Sequence, residues 1–187
     1  MLIYSMSVSV DGFITDREGG IEWGVPSEEQ FRFHLAQVGE LGGYLCGRRL
    51  YETMLPWETD PSMREQELGA TFADVWCAIP KVVLSRTLES GQGNARLAEA
   101  SIAEEVAAAL NGTDRDVSIG GPAWPGRRSS SASSTSCASS GIRLSSVAAR
   151  RSCPRSPNRS RCSSSRPRTF GSRVIYEPYR RAGHPPD

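Results

Sequence analysis

The sequence predicts a single α/β domain built on a largely parallel sheet with helices on both faces. Short apolar stretches typical of strands alternate with longer stretches in which apolar residues recur at helical spacing. This alternation favours parallel strands joined by helices. The length of 187 residues is enough for one domain with a substantial core and short for two.

The first strand and the first helix have the clearest local patterns. Residues 2–10 alternate apolar side chains with serine, a period of two that predicts a strand. A helix is predicted over residues 27–41, because Ser27 and Gln30 form a capping-box pattern and apolar residues follow at helical spacing. Gly42-Gly43 is expected to end this helix.

The alternation continues as far as the glycine pair Gly120-Gly121. Short apolar runs predict strands at residues 44–46, 81–84 and 117–119. Helical patterns cover residues 50–54, 63–76 and 101–110, the last of which opens with a second capping box. Pro56-Trp57 is expected to break the helical pattern between the first two.

Three of the predicted strands end in residues suited to binding phosphate. These ends are Gly47-Arg48-Arg49, Ser85-Arg86-Thr87 and Gly120-Gly121. Parallel strands bring their carboxyl ends to one edge of the sheet, where bare backbone N–H groups, hydroxyls and guanidinium groups bind phosphates. Taken singly, an arginine after a strand is usually a solvated charge and a glycine pair is usually a turn. Three such ends together favour a site for the phosphates of a dinucleotide.

The order of the motifs resembles a known family. The segments SVSVDGF, GIEW, CGRRLYE, KVVLSRTL and SIGG follow one another as in the dihydrofolate-reductase-like family, in particular its branch related to the riboflavin-pathway reductase domain. The resemblance covers residues 2–122 continuously, and residues 169–180 resemble the closing strand of that branch. It implies NADPH as the hydride donor, held by the three strand ends, and reduction of a small heterocyclic substrate.

The same resemblance implies a substrate cleft formed by Asp11, the loop of Trp23 and the helix that follows. VPSE resembles the place where dihydrofolate reductases carry an acidic residue facing the pterin, which here is Glu28. A carboxylate in a partly apolar cleft holds a proton more readily and can help to deliver it. Asp11 and Glu28 are therefore the candidate catalytic residues and Trp23 the candidate substrate contact. The alternatives are that Asp11 only forms a turn and that Glu28 only favours the start of the helix.

Residues 124–167 differ in composition from the rest of the chain. They are rich in serine and contain nine arginines but no Asp, Glu or Lys, which leaves 13 basic against 21 acidic residues elsewhere. As written, such a tract is not expected to order itself. One interpretation is a basic, RNA-binding arm of a protein that is not an enzyme. The acidic remainder shows no nucleic-acid surface.

The second interpretation is a compensated double frameshift. If one nucleotide is lost near Ala123 and the frame is restored before Arg168, serine codons conceal codons for apolar residues. The shifted frame permits a GLVDEL segment and a PVV-GGGTP segment, in the order that the family shows. An error of gene reading would leave the native protein intact, whereas a true frameshift would give a poorly folded, inactive product. The nucleotide sequence decides between them.

The remaining expectations concern the environment of the protein. Cys46 and Cys77 lie singly in apolar contexts, which favours buried thiols in a reducing cytoplasm. No apolar run has the length of a membrane span, and no metal site is predicted. The expected partner is a small-molecule substrate, without nucleic acid or membrane, and a homodimer is left open. Residues 182–187 are expected to form a tail.

Overall fold

A computed structural model describes residues 1–9, 13–18, 20–21, 24–121, 135–142, 162–164, 167–171 and 173–181. The chain divides into two compact units. The first unit comprises residues 1–2 and 31–124, and the second comprises residues 3–30 and 125–187. That the whole chain is one domain stays a prediction.

The described residues form nine strands and five helices. The strands are β1 (Leu2–Ser9), β2 (Leu41–Gly47), β3 (Lys81–Leu84), β4 (Ala95–Leu97), β5 (Asp116–Gly120), β6 (Thr135–Ile142), β7 (Cys162–Ser164), β8 (Arg168–Thr169) and β9 (Val174–Arg181). The helices are α1 (Glu28–Gly39), α2 (Arg48–Met54), α3 (Pro56–Thr59), α4 (Glu67–Ala78) and α5 (Ile102–Asn111). A 3-10 turn over Pro61–Arg64 precedes α4. None of these helices combines the length and the apolar character needed to cross a membrane.

The first unit contains a parallel sheet in the order β4-β3-β2-β5. The register pairs Gly47 with Leu84 and Cys46 with Gly120, so the carboxyl ends of β2, β3 and β5 lie side by side. At the opposite end of β5, the backbone N–H of Val117 donates to the carbonyl of Met1 at 2.8 Å. The predicted parallel arrangement is confirmed.

The second unit orders its strands β1-β6-β9-β7, with β8 also paired to β9. Strand β9 runs antiparallel to β6, β7 and β8. Both β6 and β7 fall within residues 124–167, so the expectation that this segment lacks order is wrong for these two stretches. Backbone pairing needs no particular side chains, which explains how serine-rich stretches can join a sheet. The frameshift interpretation stays a prediction.

The capping-box patterns predicted the starts of the helices correctly, whereas the glycine pair Gly42-Gly43 did not predict the end of α1. At the start of α1, Ser27 N donates to Gln30 Oε1 at 3.0 Å and Gln30 N donates to Ser27 Oγ at 3.4 Å, which confirms the capping box. The box of Ser101 and Glu104 at the start of α5 is also present. Gly42-Gly43 does not end α1, which stops at Gly39, but belongs to β2.

Between β2 and β3 the chain is more helical than predicted. Helix α2 starts at Arg48, two residues before the predicted start. Helix α2 ends at Met54, as predicted, but Pro56 opens a further short helix, α3, where it occupies the first turn. Proline is tolerated there because its missing N–H would have no partner within the helix and its φ already suits helical geometry.

The core of the first unit contains an ion pair that the sequence patterns do not reveal. Lys81 Nζ lies 3.0 Å from Glu58 Oε1, and the two side chains are 0% and 6% exposed. Lys81 also donates to the carbonyl of Ile79 at 3.1 Å and lies 4.9 Å from the centre of the Trp76 ring. The pair places the Lys81 ammonium directly against the Glu58 carboxylate, out of solvent.

The segment between β3 and β4 is attached to this core. Tyr51 Oη accepts a hydrogen bond from the backbone N–H of Gln92 at 2.8 Å. Gly93 has a φ of +57°, and a Cβ on this residue would overlap Glu58 Oε2. Glycine is therefore needed at position 93 both for its backbone conformation and for the approach of the buried carboxylate.

The two predicted cysteine environments differ from each other. Cys46 is fully buried in β2, and burial raises the pKa of its thiol to about 12. Cys77 is only partly buried, and its Sγ lies 3.9 Å from the carbonyl oxygen of Trp57. Both are free thiols. The prediction of a buried thiol is confirmed for Cys46 and is wrong for Cys77, which is only partly buried.

A buried carboxylate joins β4 to α5. Glu105 lies almost wholly out of solvent and accepts two hydrogen bonds from the Arg96 guanidinium, at 2.5 and 3.2 Å. The backbone N–H groups of Glu99 and Ala100 donate to the same carboxylate at 2.8 and 3.1 Å. These four bonds satisfy the buried charge.

Replacing Glu105 with glutamine is expected to lower the free energy of unfolding by about 1–3 kcal/mol at neutral pH. The Arg96 guanidinium, followed by the backbone donors of Glu99 and Ala100, lowers the pKa of Glu105 from 4.5 to about 2. Because the folded-state pKa is depressed, this stabilisation is complete above the unfolded pKa and is lost as the pH falls through about 2. Urea unfolding of both proteins from pH 7 to pH 2 measures the difference, and a difference that stays constant over this range would contradict the assignment.

Candidate functional site

The three predicted phosphate-binding ends meet at one edge of the parallel sheet. Gly47 ends β2 beside Leu84 of β3, so Ser85-Arg86-Thr87 starts next to Arg48. On the other side of β2, Cys46 pairs with Gly120, which brings Gly120-Gly121 beside Gly47. All of these residues belong to the first unit. The predicted meeting of the three ends is therefore present, whereas their binding of phosphate stays a prediction.

Gly120, the last residue of β5, and Gly121, which follows it, are needed for different reasons. A Cβ on Gly120 would lie 2.6 Å from Leu50 Cδ2 and 2.7 Å from Tyr44 Oη, so packing within the protein requires glycine here. Gly121 has a φ of +116°, a conformation that side chains other than glycine rarely adopt. A Cβ on Gly121 would lie 3.6 Å from Gly47 N. Gly121, and not Gly120, is thus the residue whose backbone conformation depends on the absence of a side chain.

Gly47 leaves open space at the end of β2. A Cβ built on this residue would meet no atom within 4 Å in the described part of the chain. Gly47 is also the N-cap of α2, with an extended backbone and no side-chain hydrogen bond to the first turn. The backbone here is available to a ligand, unlike that of buried Gly120.

Arg48 bridges the end of β2 and the segment after β3. Its Nε donates to Glu52 Oε1 at 2.7 Å, and its Nη1 donates to Thr87 Oγ1 at 2.7 Å. Ser85 Oγ accepts hydrogen bonds from the backbone N–H groups of Thr87 and Leu88 at 3.2 and 3.1 Å. Ser85 therefore shapes the turn that presents Thr87 to Arg48.

The Arg49 and Arg86 side chains are the more available cations of this edge. Both residues are exposed. Among the described residues, neither guanidinium has an ion pair or a hydrogen bond, in contrast to that of Arg48. The single described carboxylate bonded to an arginine of the three strand ends is that of Glu52. Positive charge therefore prevails at this edge, as an anionic ligand requires.

Two contributors to this edge were missed by sequence reasoning. Glu52 is not among the predicted site residues, although its spacing of four residues from Arg48 on one helix is a recognised signal for an ion pair. Thr87 belongs to a predicted motif, but its contact with Arg48 spans 39 residues of sequence. Local spacing could have indicated the first contact and not the second.

Of the three residues predicted to face the substrate, the structure describes only Glu28. Asp11 and Trp23 lie outside the described residues. Glu28 is the first residue of α1 and is exposed. The catalytic role of Glu28 and that of Asp11 stay predictions, as does the substrate contact of Trp23.

Glu29, next to Glu28, has a structural role within the second unit. Its Oε2 accepts a hydrogen bond from the backbone N–H of Gly171 at 3.1 Å, and its Oε1 lies 3.5 Å from Arg168 Nη2. The turn between β8 and β9 contains Arg173, whose φ of +63° is uncommon for a residue other than glycine. Glu29 therefore ties the start of α1 to the turn between β8 and β9.

No group of three or more His, Cys, Asp or Glu side chains is suitably placed to hold a metal ion within the ranges that the structure describes. His34, to which the sequence assigns no role, lies in the middle of α1. Burial lowers the pKa of its imidazole, which favours the neutral form. A neutral, partly buried histidine of this kind fits a packing role.

Solved structures of reductases resemble this chain in fold. A candidate riboflavin biosynthesis protein from Shewanella sp. PV-4 superposes with a TM-score of 0.69 and 16% identity, over 96% of this chain and 98% of that chain. Dihydrofolate reductase from Enterococcus faecalis, in complex with NADP(H) and RAB-propyl, gives a TM-score of 0.60 and 16% identity, over 97% and 96%. Dihydrofolate reductase from Schistosoma mansoni gives 0.60 and 14%, over 96% and 97%.

No family model and no curated protein matches the sequence. The likeness to the solved structures is therefore a likeness of fold, at identities too low to carry an activity across. The chain has an α/β fold of the dihydrofolate-reductase type, which confirms the predicted fold class.

Proposed function

We propose that this protein, whose fold is that of the dihydrofolate reductases, is an NADPH-dependent reductase of a small, heterocyclic substrate. The observation that carries the proposal is the meeting of three strand ends, with their bare glycine backbone and arginines, at one edge of the parallel sheet. Among the solved structures of this fold, the Enterococcus faecalis reductase is a complex with NADP(H).

The residues of the first unit fit the phosphates of such a cofactor. Gly47 provides open backbone, and the unpaired guanidinium groups of Arg49 and Arg86 provide cationic donors. Ser85 stabilises the turn after β3 by accepting two backbone hydrogen bonds, and Gly121 leaves the residue after β5 without a side chain. We assign the phosphate contacts to Arg48, Arg49 and Arg86 and to the backbone at Gly47 and Gly121.

NADPH, when bound, supplies the hydride for the reduction. The contribution of the protein is to hold the cofactor by its phosphates and to orient the substrate. The family resemblance assigns substrate contacts to Asp11 and Trp23 and the handling of a proton to Glu28. These three assignments belong to the proposal and rest on the resemblance.

The alternative of a free basic arm has less support. Two stretches of residues 124–167, β6 and β7, pair with β9 in the second unit. A segment that forms part of a sheet is not available over its whole length for electrostatic binding of RNA. The reductase proposal is therefore preferred.

Titration of the full chain with NADPH, followed by nicotinamide fluorescence, is expected to show saturable binding. Replacing Arg86 with alanine should weaken this binding about 10- to 100-fold, because a hydrogen bond to a charged group is worth about 1.5–3 kcal/mol. The control is Arg64→Ala, which removes an exposed arginine of the same unit that lies outside the three strand ends. Absence of saturable NADPH binding by the folded, unsubstituted protein would contradict the proposal.

A further inference from the structure

We infer that Glu52 is a positioning residue that fixes the Arg48 guanidinium for phosphate binding. The inference rests on the proposed function, since it concerns the same edge of the sheet. Arg48 and Glu52 lie one turn apart on α2, and Arg48 Nε donates to Glu52 Oε1 at 2.7 Å. The two side chains are 46% and 43% exposed, so the pair adds little to stability and its effect is to be sought in the position of Arg48.

The second attachment of Arg48 lies on a different element. Its Nη1 donates to Thr87 Oγ1 at 2.7 Å, in the turn that Ser85 stabilises after β3. A guanidinium is rigid and planar, so hydrogen bonds at two of its nitrogens define the orientation of its plane. Glu52 thus holds one side of the group from α2, and Thr87 holds another from the segment after β3.

This arrangement leaves donors for a ligand. A guanidinium carries five N–H donors. Two are used by Glu52 and Thr87, and within the described ranges no acceptor takes the remaining three. Both donors of Nη2 are among the three that remain for phosphate oxygens. Fixing the side chain before the ligand arrives removes part of the ordering cost of binding and is expected to be worth about three- to tenfold in affinity.

The negative charge of Glu52 acts in the opposite direction, because a carboxylate repels a phosphate. The carboxylate is partly exposed, so salt screens this repulsion. Replacement by glutamine separates the two effects, since the amide oxygen still accepts from Arg48 Nε but the charge is gone. Alanine removes both the acceptor and the charge. The two variants therefore differ mainly in the positioning of Arg48.

The test is NADPH titration of the full chain and of its Glu52→Ala and Glu52→Gln variants at physiological salt. Glu52→Ala is expected to weaken binding about three- to tenfold. Glu52→Gln should bind as tightly as the unsubstituted protein or more tightly. In a protein that already carries Arg48→Ala, Glu52→Ala should have no further effect. If Glu52→Ala and Glu52→Gln bound NADPH with equal affinity, the inference would be overturned, whatever that affinity is relative to the unsubstituted protein.

A second measurement keeps the inference separate from the proposed function. The Nε–H signal of Arg48 in nitrogen-proton NMR should be protected from exchange in the unsubstituted protein and in Glu52→Gln, and lost in Glu52→Ala. The signal of Arg49, which has no described partner, is the internal control. If NADPH does not bind but these signals behave as expected, the proposed function fails and the positioning by Glu52 stands. Identical Arg48 signals in all three proteins would overturn the positioning itself.

Discussion

Replacing Lys81 with methionine is expected to lower the free energy of unfolding by about 3–5 kcal/mol, because it leaves a buried carboxylate without its cation. Glu58 is 6% exposed, and its Oε1 lies 3.0 Å from Lys81 Nζ. The carboxylate therefore depends on the ammonium charge for its compensation. Urea unfolding at pH 7, followed by tryptophan fluorescence, measures the loss.

An exposed ion pair of the same unit provides the control. Arg64 and Asp74 are 2.5 Å apart at 40% and 70% exposure, so solvent screens the pair and Arg64→Met should cost far less stability than Lys81→Met. Combining Lys81→Met with Glu58→Gln should recover part of the loss, since the uncompensated charge is then removed. A Lys81→Met variant as stable as Arg64→Met would show that the buried pair is not needed.

The second large effect is expected at the end of β5. Gly121→Val should weaken NADPH binding more than about tenfold and destabilise the protein by about 1–3 kcal/mol, because a β-branched residue is strained at positive φ. Gly121 has a φ of +116° and lies beside the backbone of Gly47. A shift of the backbone at either residue alters the edge to which the phosphates are assigned. Fluorescence titration and urea unfolding measure the two effects.

Gly39→Ala is the matched control for this substitution. Gly39 has a negative φ and would place its Cβ in open space at the end of α1. The Gly39→Ala variant should bind NADPH with the affinity of the unsubstituted protein and be at least as stable. If Gly121→Val folded and bound NADPH with unchanged affinity, the end of β5 would not be part of the phosphate site.

The strands that were predicted correctly are those whose apolar pattern lies within a few consecutive residues. Strand β3 is found at the predicted residues 81–84, because an apolar run of this kind is typical of a buried strand. Strand β4 was missed, since Ala95–Leu97 is short and has a charged residue at its centre. Its place depends on pairing with β3 and on the bond between Arg96 and Glu105, which no local pattern contains.

The glycine pair Gly42-Gly43 shows why short sequence patterns can predict the wrong element. Gly42-Gly43 has the composition of a helix end, yet both residues lie in β2. Gly43 pairs with Val117 across the sheet, and a Cβ on Gly42 would overlap the Thr113 side chain. Gly42 is therefore required by a neighbour about 70 residues away in sequence, which composition alone does not reveal.

The candidate site was predictable to the extent that it follows from topology. Once the strands are parallel, their carboxyl ends must share an edge, and the motifs at those ends meet without further information. The contacts within the edge were not predictable, because the Arg48–Thr87 bond depends on how the segment after β3 turns. The same holds for the buried partnership of Lys81 and Glu58, whose residues look like ordinary surface charges in the sequence.

The segment between β3 and β4 is fastened at both of its ends. Ser85 Oγ accepts hydrogen bonds from the backbone N–H groups of Thr87 and Leu88, and the backbone N–H of Gln92 donates to Tyr51 Oη. Surface loops ordinarily accept added residues at little cost. Here, an inserted residue is expected to be tolerated best between Leu88 and Gly91, because an insertion from Ser85 to Thr87 would separate Ser85 Oγ from the N–H groups that it binds.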